Sequence, residues 1–186
     1  SLLAGTAIAV FCDDPGMFNH VVDTFRSYPG AGLPNILATG QMGETGRDWG
    51  HGYNDLLART LTAEILWKQG IDVFSELDNR LLAAGEYHAR NTSSFDTPFV
   101  PYGTIDYHYY QNAGGLNSQD RTAYYLLQNA YKHRLGLPTP WIDRKIAEVG
   151  VHGGNFMFAR TCDFSIATPL PADTRPAVGL ASSGLT

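Results

Sequence analysis

The residues with the most chemistry to offer lie in one run, Gln41-Met42-Gly43-Glu44-Thr45-Gly46-Arg47-Asp48-Trp49-Gly50-His51. Within it two carboxylates, a guanidinium and an imidazole fall between Glu44 and His51. Gly43, Gly46, Gly50 and Gly52 thin out the side chains around them, so the backbone can approach another surface closely. Arg and His at a glycine-rich helix start suit the holding of an anion, because unpaired N–H groups and the helix dipole add to their charge. The same residue types suit a second arrangement, a buried ion-pair cluster of Glu44, Arg47, Asp48 and His51 that fixes the entry of one helix. Residue types alone leave both open.

The helix that starts at this run is the longest pattern in the chain, from about Asp48 to Gln69. Asp48, His51 and Asp55 then share a face at i, i+3 and i+7. Leu56, Leu57, Thr60, Leu61, Glu64, Ile65 and Trp67 mark its core side, and Gly70 is placed to end it in a left-handed turn. Upstream, residues 2–12 are apolar on nearly every side, as in a helix buried all round or one whose neighbours lie elsewhere. Asp13-Asp14-Pro15 reads as a cap followed by Pro at the first helical position. Phe18, Val21, Val22 and Phe25 then give an amphipathic helix to about Ser27, ended by Tyr28-Pro29-Gly30-Ala31-Gly32.

Downstream, Asp72 to Arg90 supplies a helix with Leu77, Leu81, Leu82 and Tyr87 as its buried stripe. Residues 91–117 form a long loop with the run Tyr102-Gly103-Thr104-Ile105-Asp106-Tyr107-His108-Tyr109-Tyr110, and loops of that length are often functional. A helix capped by Asn117 or Ser118 runs to Leu135, with Tyr124, Leu127, Tyr131 and Leu135 on one side and Gly136 as stop. Pro138 and Pro140 precede a short helix through Val149. Phe156–Ala159 reads as a strand or a buried extended piece, and the chain from Pro169 as a surface tail. The expected fold is all-α, built of helical hairpins in a bundle, solenoid or toroid, over residues 1–168 with a tail over 169–186.

Composition limits the partners. The 186 residues are 44% hydrophobic and 17% charged, enough for one globular domain with a sizeable core. The net charge of −5 argues against nucleic acid, and no apolar run is long enough to span a membrane. Ten Tyr suit clefts for flat polar ligands such as sugars, since each ring offers an apolar face and a hydroxyl. The opening Ser1-Leu2-Leu3 has no basic region of a signal peptide. Asn91-Thr92-Ser93 is a glycosylation sequon in an expected loop, which leans toward a secreted glycoprotein. Cys12 and Cys162 could form one bridge or remain two thiols.

The run Gly40–His51 resembles the signature of the alginate-lyase-domain polysaccharide lyases, helical-toroid enzymes related to alginate and glucuronan lyases. The resemblance continues through Ala63–Asp72, Asp78–Leu82, Glu86-Tyr87, Pro98–Tyr102 and Asn129–Leu137, covering roughly residues 1–160. It implies part of an (α/α) toroid, with fewer helices here than a closed toroid needs. The expected arrangement is the C-terminal half of a catalytic domain, completed by an N-terminal half or a companion chain. Relatives often carry Asn-His-Tyr where this chain has Asn129-Ala130-Tyr131, so no role is carried to Ala130.

Such a lyase breaks a 4-linked polyuronate, glucuronan or alginate, by taking the proton at C5 and expelling the sugar at C4, with no metal and no cofactor. The C5 proton becomes acidic enough only when the neighbouring carboxylate is neutralised. A base must reach it, and an acid must protonate the leaving oxygen. The resemblance makes His51 the active-site histidine, acting as base or assisting a tyrosine. That tyrosine is expected from the 102–110 loop, in the order Tyr107, Tyr102, Tyr109. Arg47 either neutralises the uronate or locks Glu44 and Asp48 in place. Gln41, Trp49, Tyr53, Asn54 and Tyr109 are candidates for a sugar subsite.

Three other functions compete. A glycoside hydrolase would use Glu44 and Asp48, but residues i and i+4 on one helix are too close to flank a sugar ring. Metal binding by Glu44, Asp48 and His51 matches no established spacing. A non-catalytic carbohydrate-binding fragment is the third.

Overall fold

A computed structural model describes residues 1–103, 108–112 and 122–149. Phe156–Ala159, the tail from Pro169, Tyr107 and Cys162 lie outside the described residues, and with Cys162 the question of a bridge to Cys12, which is exposed. The described chain is mainly helical: α1 (Leu2–Phe11), α2 (Pro15–Ser27), α3 (Trp49–Lys68), α4 (Glu76–Ser93), α5 (Thr122–Leu127) and α6 (Pro140–Val149). One short antiparallel ribbon pairs β1 (Tyr102–Gly103) with β2 (His108–Tyr109). Helix α3 packs on α1, α4 and α5, while α1 also packs on α2 and α4 on α6. Among the described residues no helix is long and apolar enough to cross a membrane.

Two helix boundaries have local causes and one has a distant one. The Asp14 side chain accepts from the Met17 N–H at 2.9 Å, and Pro15 fills the first helical position of α2. Phe18, Val21, Val22 and Phe25 are all buried, as their spacing requires. Helix α3 ends with Gly70 at φ +88. The Gly70 N–H bonds the Trp67 carbonyl and the Ile71 N–H bonds the Leu66 carbonyl, satisfying two of its last acceptors. The first turn of α6 is capped from another helix. The Glu86 carboxylate of α4 accepts from the Trp141 and Ile142 N–H groups at 2.9 and 3.1 Å.

Several expectations are corrected. Of the expected α3 stripe, Leu56 and Thr60 are buried and Leu57 and Trp67 pack against the core, but Leu61, Glu64 and Ile65 are only half-buried, and the buried face instead includes Gly52, Tyr53, Arg59, Thr62, Ala63 and Leu66. Arg59 is on that face because Asp55 and the acceptors of a distant turn take its donors. Helix α4 begins later than Asp72, whose carboxylate instead accepts from the Phe74 N–H and the Ser75 hydroxyl, both at 2.9 Å. Leu77, Asp78 and Asn79 then adopt left-handed backbone (φ 49, 57 and 58), a costly conformation away from glycine, and Leu77 is turned outward. The expected helix to Leu135 continues α5 as a π-helix over Gln128–Arg134. Leu135 is exposed, while Tyr131 donates to the Phe74 carbonyl at 2.8 Å.

The sequon is not in a loop. Asn91 lies in the last turn of α4, 4% exposed, and exchanges hydrogen bonds with Asn112 at 3.1 and 2.8 Å while the Thr97 hydroxyl donates to its side-chain Oδ1.

The interior is held by one polar hub. Arg59 is 4% exposed and pairs with Asp55 through Nε at 2.9 Å and Nη2 at 3.1 Å. Its Nη1 donates to the Ala31 and Gly32 carbonyls, and Nη2 donates to Asn35 Oδ1 at 2.9 Å. Asn35 in turn accepts from the Gly43 N–H at 3.2 Å and donates to the Pro29 carbonyl at 2.9 Å. A guanidinium in this setting holds a helix, a turn and a loop at once. Arg59→Met leaves Asp55 and those carbonyls without their donor. It should lower the unfolding free energy by about 3 kcal/mol, measured by urea titration.

Candidate active site

The run 41–51 is two structures joined end to end. Residues 42–47 form consecutive turns, with Thr45 N–H bonded to the Met42 carbonyl and Arg47 N–H to the Glu44 carbonyl, both at 3.1 Å. Helix α3 then starts at Trp49, with Asp48 in extended backbone as its cap. Asp48 is therefore not on a helical face with Asp55, as the spacing suggested. Its Oδ1 accepts from the His51 N–H at 2.8 Å, satisfying a first-turn amide. Its Oδ2 lies 2.5 Å from His51 Nδ1. A carboxylate only accepts, so a hydrogen bond here requires a proton on Nδ1, and a neutral ring that makes it carries its lone pair on Nε2.

The pair is open to solvent, with side chains 46% (His51) and 48% (Asp48) exposed. Partial burial pushes the Asp48 pKa up, but hydrogen bonds from the His51 N–H and ring, the His51 charge and the Gly50 N–H outweigh it. The net shift is downward. Asp48 is thus ionised at neutral pH, and its contribution to stability is lost only as pH falls through that depressed value.

The buried four-member cluster does not form. Arg47 is 45% exposed and meets Glu44 at 3.5 Å, a loose surface pair. Trp49 and Asn54 are exposed on either side of His51 in sequence. Tyr53 is buried, and its hydroxyl accepts from the Ala123 N–H at 3.2 Å. Its ring packs with those of His88 and Tyr124. Gln41 is buried, its amide donating to the Val100 carbonyl at 2.8 Å and accepting from the Val100 N–H at 3.0 Å. Both residues are therefore spent on holding the fold and are not open to a sugar.

The glycines explain how the tyrosine ribbon reaches this loop. A Cβ on Gly43 would stand 3.0 Å from the Gly103 carbonyl of β1, and one on Gly46 would overlap the Tyr109 Cβ of β2. One glycine seats each strand. Tyr102 and Tyr109 face each other across the ribbon. The Tyr102 hydroxyl donates to the Asn35 carbonyl at 3.1 Å and accepts from Asn35 Nδ2 at 3.4 Å. Burial pushes its pKa up, opposed by the Arg59 charge and reinforced by Asp55. That phenol belongs to the interior hub, and its raised pKa suits anchoring better than proton abstraction. Tyr109 is half-buried against Gly46, and Tyr110 is 79% exposed.

Thus His51, Asp48, Arg47, Trp49 and Asn54 share one exposed helix start, and Tyr109 lies against the loop leading into it. Tyr102, Tyr53 and Gln41 support it from inside. Sequence reasoning missed Asn35 and Arg59. The signal for Arg59 was present: it stands four residues after Asp55, between the apolar positions Leu56 and Ala63. Asn35 carried none, since its side-chain partners Arg59 and Tyr102 are distant in sequence and its nearer partners are backbone groups that any residue supplies.

Among the described residues no three His, Cys, Asp or Glu side chains converge as metal ligands would. Compared with family models, curated proteins and solved structures, the chain finds no match in any of the three.

Gly46→Ala should displace β2, with a loss of about 1–3 kcal/mol typical of overpacking. Amide chemical shifts of Tyr109 and Gln111 should move while those of α2 stay in place.

Proposed function

We propose that this chain is part of a polysaccharide lyase that cleaves a 4-linked polyuronate, glucuronan or alginate, by β-elimination. The observation that carries the reading is the exposed His51 imidazole, oriented by an ionised Asp48, at a loop whose glycines seat a tyrosine-bearing ribbon. Elimination needs a group that accepts the C5 proton and a donor for the leaving oxygen, as the C4–C5 double bond forms and the C4–O bond breaks. His51 Nε2 supplies a lone pair for the first task, directly or by taking the proton of a tyrosine. In this reading Tyr107 is that tyrosine, and Tyr109 lines the path of the sugar chain.

Arg47, exposed beside His51 in sequence and only loosely held by Glu44, is the cation for the uronate carboxylate. Trp49 and Asn54 offer an apolar face and an amide to neighbouring sugars. The three successive helix pairs are read as part of an (α/α) toroid, completed by further helices from the same protein or a companion chain. A secreted location goes with a polymeric extracellular substrate. The hydrolase alternative draws no support from the carboxylates: Asp48 is spent on the helix cap and His51, and Glu44 stands in the preceding loop.

Incubation of the protein with glucuronan and with alginate tests the reading. An unsaturated product absorbing in the near ultraviolet is expected from one of them, and His51→Ala should slow its formation by about 100- to 10,000-fold. New reducing ends without that absorbance would replace the lyase by a hydrolase, and binding without cleavage would reduce the chain to a carbohydrate-binding piece.

A further inference from the structure

Helix capping alone does not require an aspartate at position 48. Asn and Ser cap as well as Asp, because one side-chain oxygen facing the first-turn amide suffices. Asp48 uses a second oxygen. While Oδ1 accepts from the His51 N–H at 2.8 Å, Oδ2 lies 2.5 Å from His51 Nδ1. The two bonds come from the same residue, one from its backbone and one from its ring. The cap therefore also fixes the direction of the imidazole, and a surface side chain that is 46% exposed acquires one orientation.

We infer that Asp48 is a positioning residue: its second carboxylate oxygen holds neutral His51 in the Nδ1–H tautomer and leaves the lone pair on Nε2, the ring nitrogen that does not face Asp48. The consequence for catalysis rests on the lyase reading above, since both roles open to His51 there need a lone pair on Nε2. When Nε2 takes a proton the ring becomes a cation with both nitrogens protonated, and the ionised Asp48 already faces the Nδ1 side of that charge.

Chemistry makes the aspartate hard to replace. In Asp48→Asn the amide oxygen can keep the cap, but its NH2 group then faces Nδ1 and donates to it. The ring proton must move to Nε2, and the outward nitrogen loses its lone pair. Turning the amide over puts two donors face to face at the helix start and loses the cap. Asp48→Ser keeps the cap and offers nothing to the ring.

The test is nitrogen NMR on the full chain labelled at histidine, at a pH where the imidazole is neutral, with His51 assigned by comparison with His51→Gln. In the wild type, Nδ1 should carry the proton and Nε2 should show the shift of a bare ring nitrogen. Asp48→Asn should reverse the two in a protein that still unfolds cooperatively and slow formation of the unsaturated product by about 100-fold or more. Asp48→Ser should give a mixture of tautomers with the helix start intact. A wild-type proton on Nε2, an unchanged tautomer in Asp48→Asn, or a reversed tautomer with full product formation would each overturn the inference. A wild-type protein that forms no unsaturated product from either polymer sinks the lyase reading instead, and the tautomer measurement still decides the role of Asp48.

Discussion

The constraint on which the rest depends is the burial of Arg59. A guanidinium cannot be taken out of water unless its charge is balanced and its donors are used. Here Asp55 balances it one turn away, and the Ala31 and Gly32 carbonyls and Asn35 take the other donors. Those acceptors come from the turn after α2, so the requirement of one side chain ties α3 to that turn. Asn35 extends the tie to Gly43 and, through Tyr102, to the ribbon. The hub thus reaches the loop before the helix start and the first strand of the ribbon in two hydrogen bonds.

A division of labour follows. Polar groups that hold the frame are inside and fully engaged: Arg59, Asn35, Gln41 and the phenol of Tyr102. Those available to a ligand are outside and lightly held: His51, Arg47, Trp49 and Asn54. Surface ion pairs contribute little to stability, so the pairing of His51 with Asp48 has a different use. It gives direction to a ring that would otherwise sample several rotamers. The glycines belong to the frame too, because Gly43 and Gly46 let the ribbon strands lie against the loop.

Much of the frame is legible in local pattern. The apolar spacing of α2, the Asp14 cap, Pro15 and the left-handed Gly70 all depend on neighbours within one turn, and each is where its spacing puts it. The Gly- and Tyr-rich runs are legible as places of interest for the same reason. Less legible is which members of a run face inward. Leu61 has the residue type of a core yet is only half-buried, while Arg59 is buried because its partners lie in another part of the chain. The left-handed stretch Leu77–Asn79 contradicts local preference, and the sequon at Asn91 was placed by composition and moved by packing.

By itself, then, the sequence determined the helical class, the course and cap of α2, the stop at Gly70 and the crowding of ionisable residues at one helix start, because these follow from interactions within a few residues. Tertiary structure alone decided that the cluster is exposed and the Arg59 hub buried, that Tyr102 anchors while Tyr109 borders the site, and that Asp48 reaches the imidazole as well as the helix. The physical reason is that burial and hydrogen-bond partnership are shared among segments far apart in the chain, and no local periodicity records which of several suitable residues will meet.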